Sequence, residues 1–127
     1  MITLFPVMLG GAIGAALRYL ANIALSSPSQ HGFPYATLAV NLAGGFAMGV
    51  LAALVLRGVA SETVRLFIGV GVLGGFTTFS AFSLETFGMI ERGDFTIAAL
   101  YITVSVIGSV ALLGAGMALV SGFGARL

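Results

Sequence analysis

The sequence predicts an all-α membrane protein of four transmembrane helices with a break in the third, and three observations carry that reading. Hydrophobic residues make up 59% of the 127-residue chain and charged ones only 7%, with a mean hydropathy of +1.16. Four apolar stretches are each near the roughly 20 residues needed to cross a hydrocarbon core. One of these stretches carries paired glycines and paired threonines near its middle. Soluble domains usually hold about 25% charged residues. Five basic and four acidic side chains cannot cover a water-facing surface, so lipid is the solvent. The length leaves room for one domain, residues 1–127.

The first stretch runs from about Ile2 to Leu25 and ends in the polar loop from Ser26 to Gly32, where the lone His31 is solvated. Its N-terminal side lacks the positive region of a cleavable signal peptide, which predicts a retained helix. The second starts near Pro34, a residue suited to a first helical turn, and continues to Leu56. Arg57 to Arg65 form a short connection, and the third stretch covers about Leu66 to Ile90. Glu91-Arg92-Gly93-Asp94 reads as a tight turn in which Asp94 can cap the fourth helix, which extends to about Val120. With four spans, Arg57, Arg65 and Arg126 share one side, while Arg92 and a snorkelling Arg18 take the other. That bias is too weak to fix an orientation, and insertion both ways is accessible. Gly10/Gly14, Gly45/Gly49 and Gly71/Gly75 are small-xxx-small pairs that allow close packing within or between subunits, from which a homodimer is expected.

The segment from Gly69 to Ser83 is the least regular of the chain. Paired glycines followed by Thr77 and Thr78 hold a continuous helix poorly, and unwound backbone at membrane depth is tolerated only inside protein or along a cavity. Discontinuous helices expose carbonyls to cations and amides to anions, so function is expected here first. Phe79 and Phe82 share a helix face just after the break. Thr77, Thr78, Ser80 and Ser83 interleave with the rings, and the positive edge of a Phe ring can line an anion's path without a fixed charge.

Polar residues on the other spans add to this. Asn41 lies mid-span with Thr37 one turn earlier; its N–H donors could solvate an anion or staple helices together. Tyr101, Ser105 and Ser109 recur at i, i+4 and i+8 as a hydroxyl track on one face of the fourth helix. Arg18 and Glu85 are the ionisable residues furthest inside their spans, which makes them functional candidates, with a helix-end anchor or a salt bridge as the structural alternative.

Gly14-Ala15-Ala16-Leu17-Arg18-Tyr19, Thr37 to Gly44, and above all Gly74-Gly75-Phe76-Thr77-Thr78-Phe79-Ser80-Ala81-Phe82-Ser83-Leu84-Glu85 resemble the three signatures of the CrcB/Fluc fluoride channels of bacterial inner membranes. The resemblance covers essentially the whole chain. It implies an antiparallel, dual-topology homodimer with two fluoride pathways along the subunit interface. Phe79 and Phe82 would form an aromatic box, Asn41 would donate to the ion, and Ser83 and Thr37 would belong to the same pathway. Tyr101, Ser105 and Ser109 would be the family's polar track. The Gly74 and Thr77 carbonyls of both subunits would hold a central sodium ion, and Arg18 would line an aqueous vestibule. Glu85 matches the family's acidic position, with its role open. The implied function is passive fluoride efflux.

Other classes fit less well. The net charge of +1 and the absence of a basic cluster give no footprint for nucleic acid. A chain without cysteine forms no disulfide, and no nucleophile–base pairing or transition-metal spacing suggests an enzyme. A purely structural or assembly role predicts no ion flux and leaves the broken third helix unexplained. The closest rival is a small multidrug-type cation/proton antiporter, which needs an intramembrane carboxylate, typically in the first helix. The first helix here carries Arg18 and no acid, leaving Glu85 as the substitute. Full transport persisting in a Glu85→Gln variant ends that reading; drug-driven proton flux in proteoliposomes is the measurement, and none is expected from the parent chain.

Overall fold

The computed structural model describes residues 2–122, so Arg126, counted above for orientation, lies outside the described residues. Helix α1 covers Leu4–Leu25 and α2 covers Tyr35–Leu56. The third span consists of α3 (62–76) and α4 (Phe79–Glu91), separated by Thr77 and Thr78. Helix α5, Phe95–Gly122, is the fourth span. Leu4–Leu25, Tyr35–Leu56, Glu62–Glu91 and Phe95–Gly122 are each long and apolar enough to cross a membrane. Large apolar side chains such as Phe5, Leu20, Phe87 and Ile107 are exposed on the outer faces. Hydrocarbon solvates such a surface, and the chain is a multi-pass membrane protein.

Most boundaries follow from local chemistry. Pro34 stands just before α2, its carbonyl accepting the Leu38 amide at 3.1 Å. Gly58 and Gly93, at φ 70 and 81, take the left-handed conformation that ends α2 and α4. The third span starts earlier than the apolar run suggests. Ser61 Oγ accepts the Val64 amide at 3.2 Å, and Glu62 pairs with Arg65 at 2.7 Å inside the helix, so the connection shrinks to 57–61. Asp94 precedes α5, and its carbonyl takes the Ala98 amide at 2.9 Å. Its carboxylate faces Arg92 at 3.3 Å. Arg57 Nη1 reaches across to the Val120 carbonyl at 2.7 Å, placing a cation at the C-terminal end of α5.

The main seams join spans one and three, and spans two and four. Within α3, Arg65–Leu73 winds as a π-helix before a final turn at Gly74–Phe76. This wide segment lies directly against the glycines of α1. A Cβ at Gly10 would fall on the Phe67 carbonyl, and one at Gly14 on the Val72 carbonyl. From the other side, a Cβ at Gly75 would stand 2.6 Å from the Gly11 carbonyl. Gly45 and Gly49 do the same for α2, against the Ser109 and Leu113 carbonyls of α5. All three small-xxx-small pairs are therefore used inside one chain and are not free to pack against a second copy.

Gly14→Ala is expected to destabilise the folded chain by about 1–3 kcal/mol, the usual range for forced overpacking. Gly11→Ala, whose Cβ meets nothing within 4 Å, is expected to leave stability unchanged. Unfolding of the two variants in detergent, followed side by side, checks both.

Candidate functional site

The break sits on the threonines and not on the glycines before them. Gly74 and Gly75 remain helical, whereas Thr77 (φ −77, ψ 155) and Thr78 (φ −149, ψ 117) are extended. Two side chains take up the amides that the helix no longer places. The Thr78 amide, which an unbroken helix would give to the Gly74 carbonyl, is donated to Asn41 Oδ1 at 2.8 Å, and Asn41 Nδ2 donates back to the Thr78 carbonyl at 3.0 Å. The Ala81 amide, the helical partner of the Thr77 carbonyl, is donated to Thr78 Oγ1 at 3.2 Å and caps α4. On the α1 side, Arg18 Nε donates to the Gly75 carbonyl at 3.0 Å. The Thr77 methyl group occupies the space that a Cβ at Gly44 would need.

Beside the break, α2, α4 and α5 enclose a groove of about 370 Å³ lined by Asn41, Thr77, Thr78, Phe79, Phe82, Ser105 and Ser109 together with small and apolar side chains. Among the described residues, no ionisable side chain lines it. The Phe79 and Phe82 rings are neighbours at 5.5 Å between centroids, but their surroundings differ. Phe82 is buried against Tyr101, whereas Phe79 is 76% exposed on the open side of the groove. Ser105 Oγ is buried and has no hydrogen-bond partner among the described residues. Several other hydroxyls of the bundle are satisfied by their own helix: Thr86, Thr103 and Ser83 each donate to the carbonyl four residues back, at 2.7 to 2.8 Å. Ser83, expected on the pathway, is exposed and stands outside the groove.

Thr37, Tyr101 and Glu85 form a second polar cluster. Thr37 Oγ1 and the Tyr101 hydroxyl each donate to a different oxygen of Glu85, both at 2.6 Å. Tyr101 is fully buried and touches Phe82, so a single ring separates this cluster from the groove. A small cavity of about 50 Å³ joins Glu85 and Thr37 to Arg18 and Asn22. A larger one of about 190 Å³ connects the same pair to Ser26, Ser27 and Ser29 in the α1–α2 loop. Arg18 thus turns toward the break instead of snorkelling to the loop, while still lining a polar cavity.

Sequence reasoning misses a role of three residues in this region. Thr78 reads there as a helix breaker and a polar neighbour of the rings, although a Thr at a helix restart is also a capping signal. Gly44 gains its meaning against Thr77, and Asn22 shares a cavity with Glu85; neither relation has a sequence spacing. Because Tyr101 donates to an acceptor that would otherwise be left short of partners, Tyr101→Phe is expected to cost about 1.5–3 kcal/mol of stability. Chemical denaturation of the detergent-solubilised protein measures it. Thr103→Val, at an exposed position whose hydroxyl bonds only its own helix, serves as a control and is expected to change little.

A family model for CrcB-like protein, camphor resistance (CrcB), matches residues 5–117. The fluoride-specific ion channel FluC of Sphingopyxis alaskensis is 51% identical over 119 residues, covering 93% of this chain and 94% of that one. The protein of the same name from Agrobacterium fabrum is 47% identical over 120 residues, covering 94% and 96%. A third, from a Caulobacter species, is 51% identical over 119 residues, covering 92% and 93%. With the model matched across all four spans and relatives aligned nearly end to end, the chain belongs to the CrcB-like family.

Proposed function

We propose that the chain is a fluoride-selective channel for passive fluoride exit across the bacterial inner membrane. The relatives' name supplies the ion. The observation in this structure that carries the reading is the groove itself: hydrogen-bond donors set among Phe rings, with no fixed charge among the described residues and one buried hydroxyl, Ser105, left without a partner there. Fluoride is small and strongly hydrated, so a path for it has to replace water with donors. Asn41 has a second N–H beyond the one given to Thr78, and Ser105 and Ser109 follow on α5. Phe ring edges offer a positive partial charge that attracts an anion without holding it. A full cation in the groove would trap the ion; a narrow aromatic wall excludes larger halides.

Two chains in antiparallel orientation complete the site in this reading, each pair giving two pores. Phe79, on the groove, and Gly74 are exposed in the single chain, which fits walling by a second copy. The same face would hold a sodium ion. The Gly74 and Thr77 carbonyls have lost their helical amides to Asn41 and Thr78, and uncharged carbonyl oxygens beside a helix break suit a monovalent cation. The Gly74 and Thr77 carbonyls would hold the ion, which would supply positive charge opposite their dipoles. Arg18 holds the end of α3, and Glu85 orients the Thr37 and Tyr101 hydroxyls at the far end of the polar track.

The antiporter reading is weaker on both counts. The relatives are named as channels, and Glu85 already accepts from two hydroxyls. Liposomes holding the purified protein are expected to release fluoride rapidly and chloride hardly at all, read by ion-selective electrodes. Phe79→Ile and Phe82→Ile are expected to abolish fluoride release while still yielding folded protein. Absence of fluoride release from folded parent protein would overturn the channel reading.

A further inference from the structure

The geometry points to Asn41 and Thr78 as the positioning residues that create the cation site, a conclusion that rests on the sodium reading above. An α-helix has no free carbonyls in its interior, because each accepts the amide four residues on. Gly74 and Thr77 would be ordinary members of a continuous third span if the Thr78 and Ala81 amides went to them. Each amide is instead intercepted by a side chain. Asn41 Oδ1 takes the Thr78 amide at 2.8 Å, and Thr78 Oγ1 takes the Ala81 amide at 3.2 Å. The Thr77 amide, the other short-range donor available to Gly74, goes back to the Leu73 carbonyl at 3.0 Å.

The two interceptions are chained. Asn41 also donates to the Thr78 carbonyl at 3.0 Å, which holds Thr78 in the extended conformation from which its hydroxyl reaches Ala81. Both residues also line the groove with Phe79 and Phe82. One amide on α2 therefore frees the carbonyls proposed for the cation and stands in the groove proposed for the anion. Removing either interceptor lets an amide return to its helical carbonyl, and a cation must then compete with that hydrogen bond in each subunit.

The test is sodium-dependent thermal stability of the purified protein, with choline replacing sodium at constant ionic strength. The parent is expected to melt higher as sodium rises, with a definable midpoint concentration. Thr78→Val is expected to raise that midpoint by about tenfold, from one returned hydrogen bond in each of two subunits. Thr78→Ser, which keeps the accepting oxygen, is expected to restore the parent midpoint, a rescue that a loss of packing would not show. Asn41→Ala acts on the other carbonyl and is expected to shift the midpoint in the same direction; Thr78→Ala carries the prediction should the valine variant not fold. Unchanged midpoints in folded Thr78→Val or Thr78→Ala and in Asn41→Ala would overturn the inference and leave the sodium site standing. No sodium effect on the parent would instead overturn the sodium reading, and this inference with it, while fluoride release from liposomes would still stand or fall separately.

Discussion

Backbone that leaves the helical conformation inside hydrocarbon must find other partners for its amides and carbonyls, since no water is there to take them. Two residues, Thr77 and Thr78, impose that demand, and much of the bundle is arranged to meet it. Asn41 from α2 supplies both a donor and an acceptor to Thr78, in the manner of a neighbouring strand. Arg18 from α1 takes the Gly75 carbonyl at the end of α3, where a cation is favoured by the helix dipole. The hydroxyl of Thr78 caps the helix that restarts. An unsatisfied buried polar group costs about 1–3 kcal/mol, so each partner omitted would favour closing the break into a continuous helix.

Such short polar contacts require that α1 and α2 lie very close to the third span, and the glycines make this possible. Gly10 and Gly14 bring α1 onto the carbonyls of the π-wound segment, which carries Arg18, one turn further on, to the break. Gly44 admits the Thr77 methyl group three residues after Asn41. Gly45 and Gly49 then seat α5 on α2, setting Ser105 and Ser109 opposite the break. The arrangement places backbone-to-backbone seams and polar contacts on the same helices. A bulkier residue in the seam would shift hydrogen-bond geometry at the groove as well as packing.

The fold is largely legible because it depends on properties that a linear pattern records. Span number follows from apolar length, the loops from polar runs with Gly58 and Gly93, and the break from an unusual cluster of glycine and threonine. The apolar run sets the start of the third span too late because hydropathy does not register Ser61 capping a helix that begins with charged residues. At the site, residues of one helix face are neighbours as their spacing predicts: Phe79 with Phe82, and Ser105 with Ser109, line a common groove. Direction is what a linear pattern does not record. Nothing in the sequence says that Ser83 bonds its own helix, that Tyr101 turns to Glu85, or that Arg18 faces the break. Those outcomes depend on which helix stands opposite, and the seams join spans one with three and two with four, not sequence neighbours.

The distribution of charge gives the proposed conduction a physical reason. The strongly polar groups are held at a remove from the groove: Arg18 by the Gly75 carbonyl, and Glu85 behind the Tyr101 ring with both oxygens occupied. The groove keeps neutral polar groups and the Phe79 and Phe82 rings among apolar side chains. For a strongly hydrated anion this separation matters, because conduction requires binding firm enough to replace water and weak enough to release the ion. A guanidinium within the groove would deepen the well at one point and slow departure from it. A carboxylate there would raise the barrier to entry. With the proposed cation at backbone carbonyls, Arg18 on the Gly75 carbonyl and Glu85 beyond the Tyr101 ring, these fields act at a distance. In this reading the ion passes amide, hydroxyl and aromatic groups among apolar side chains, with no ionisable one among the described residues.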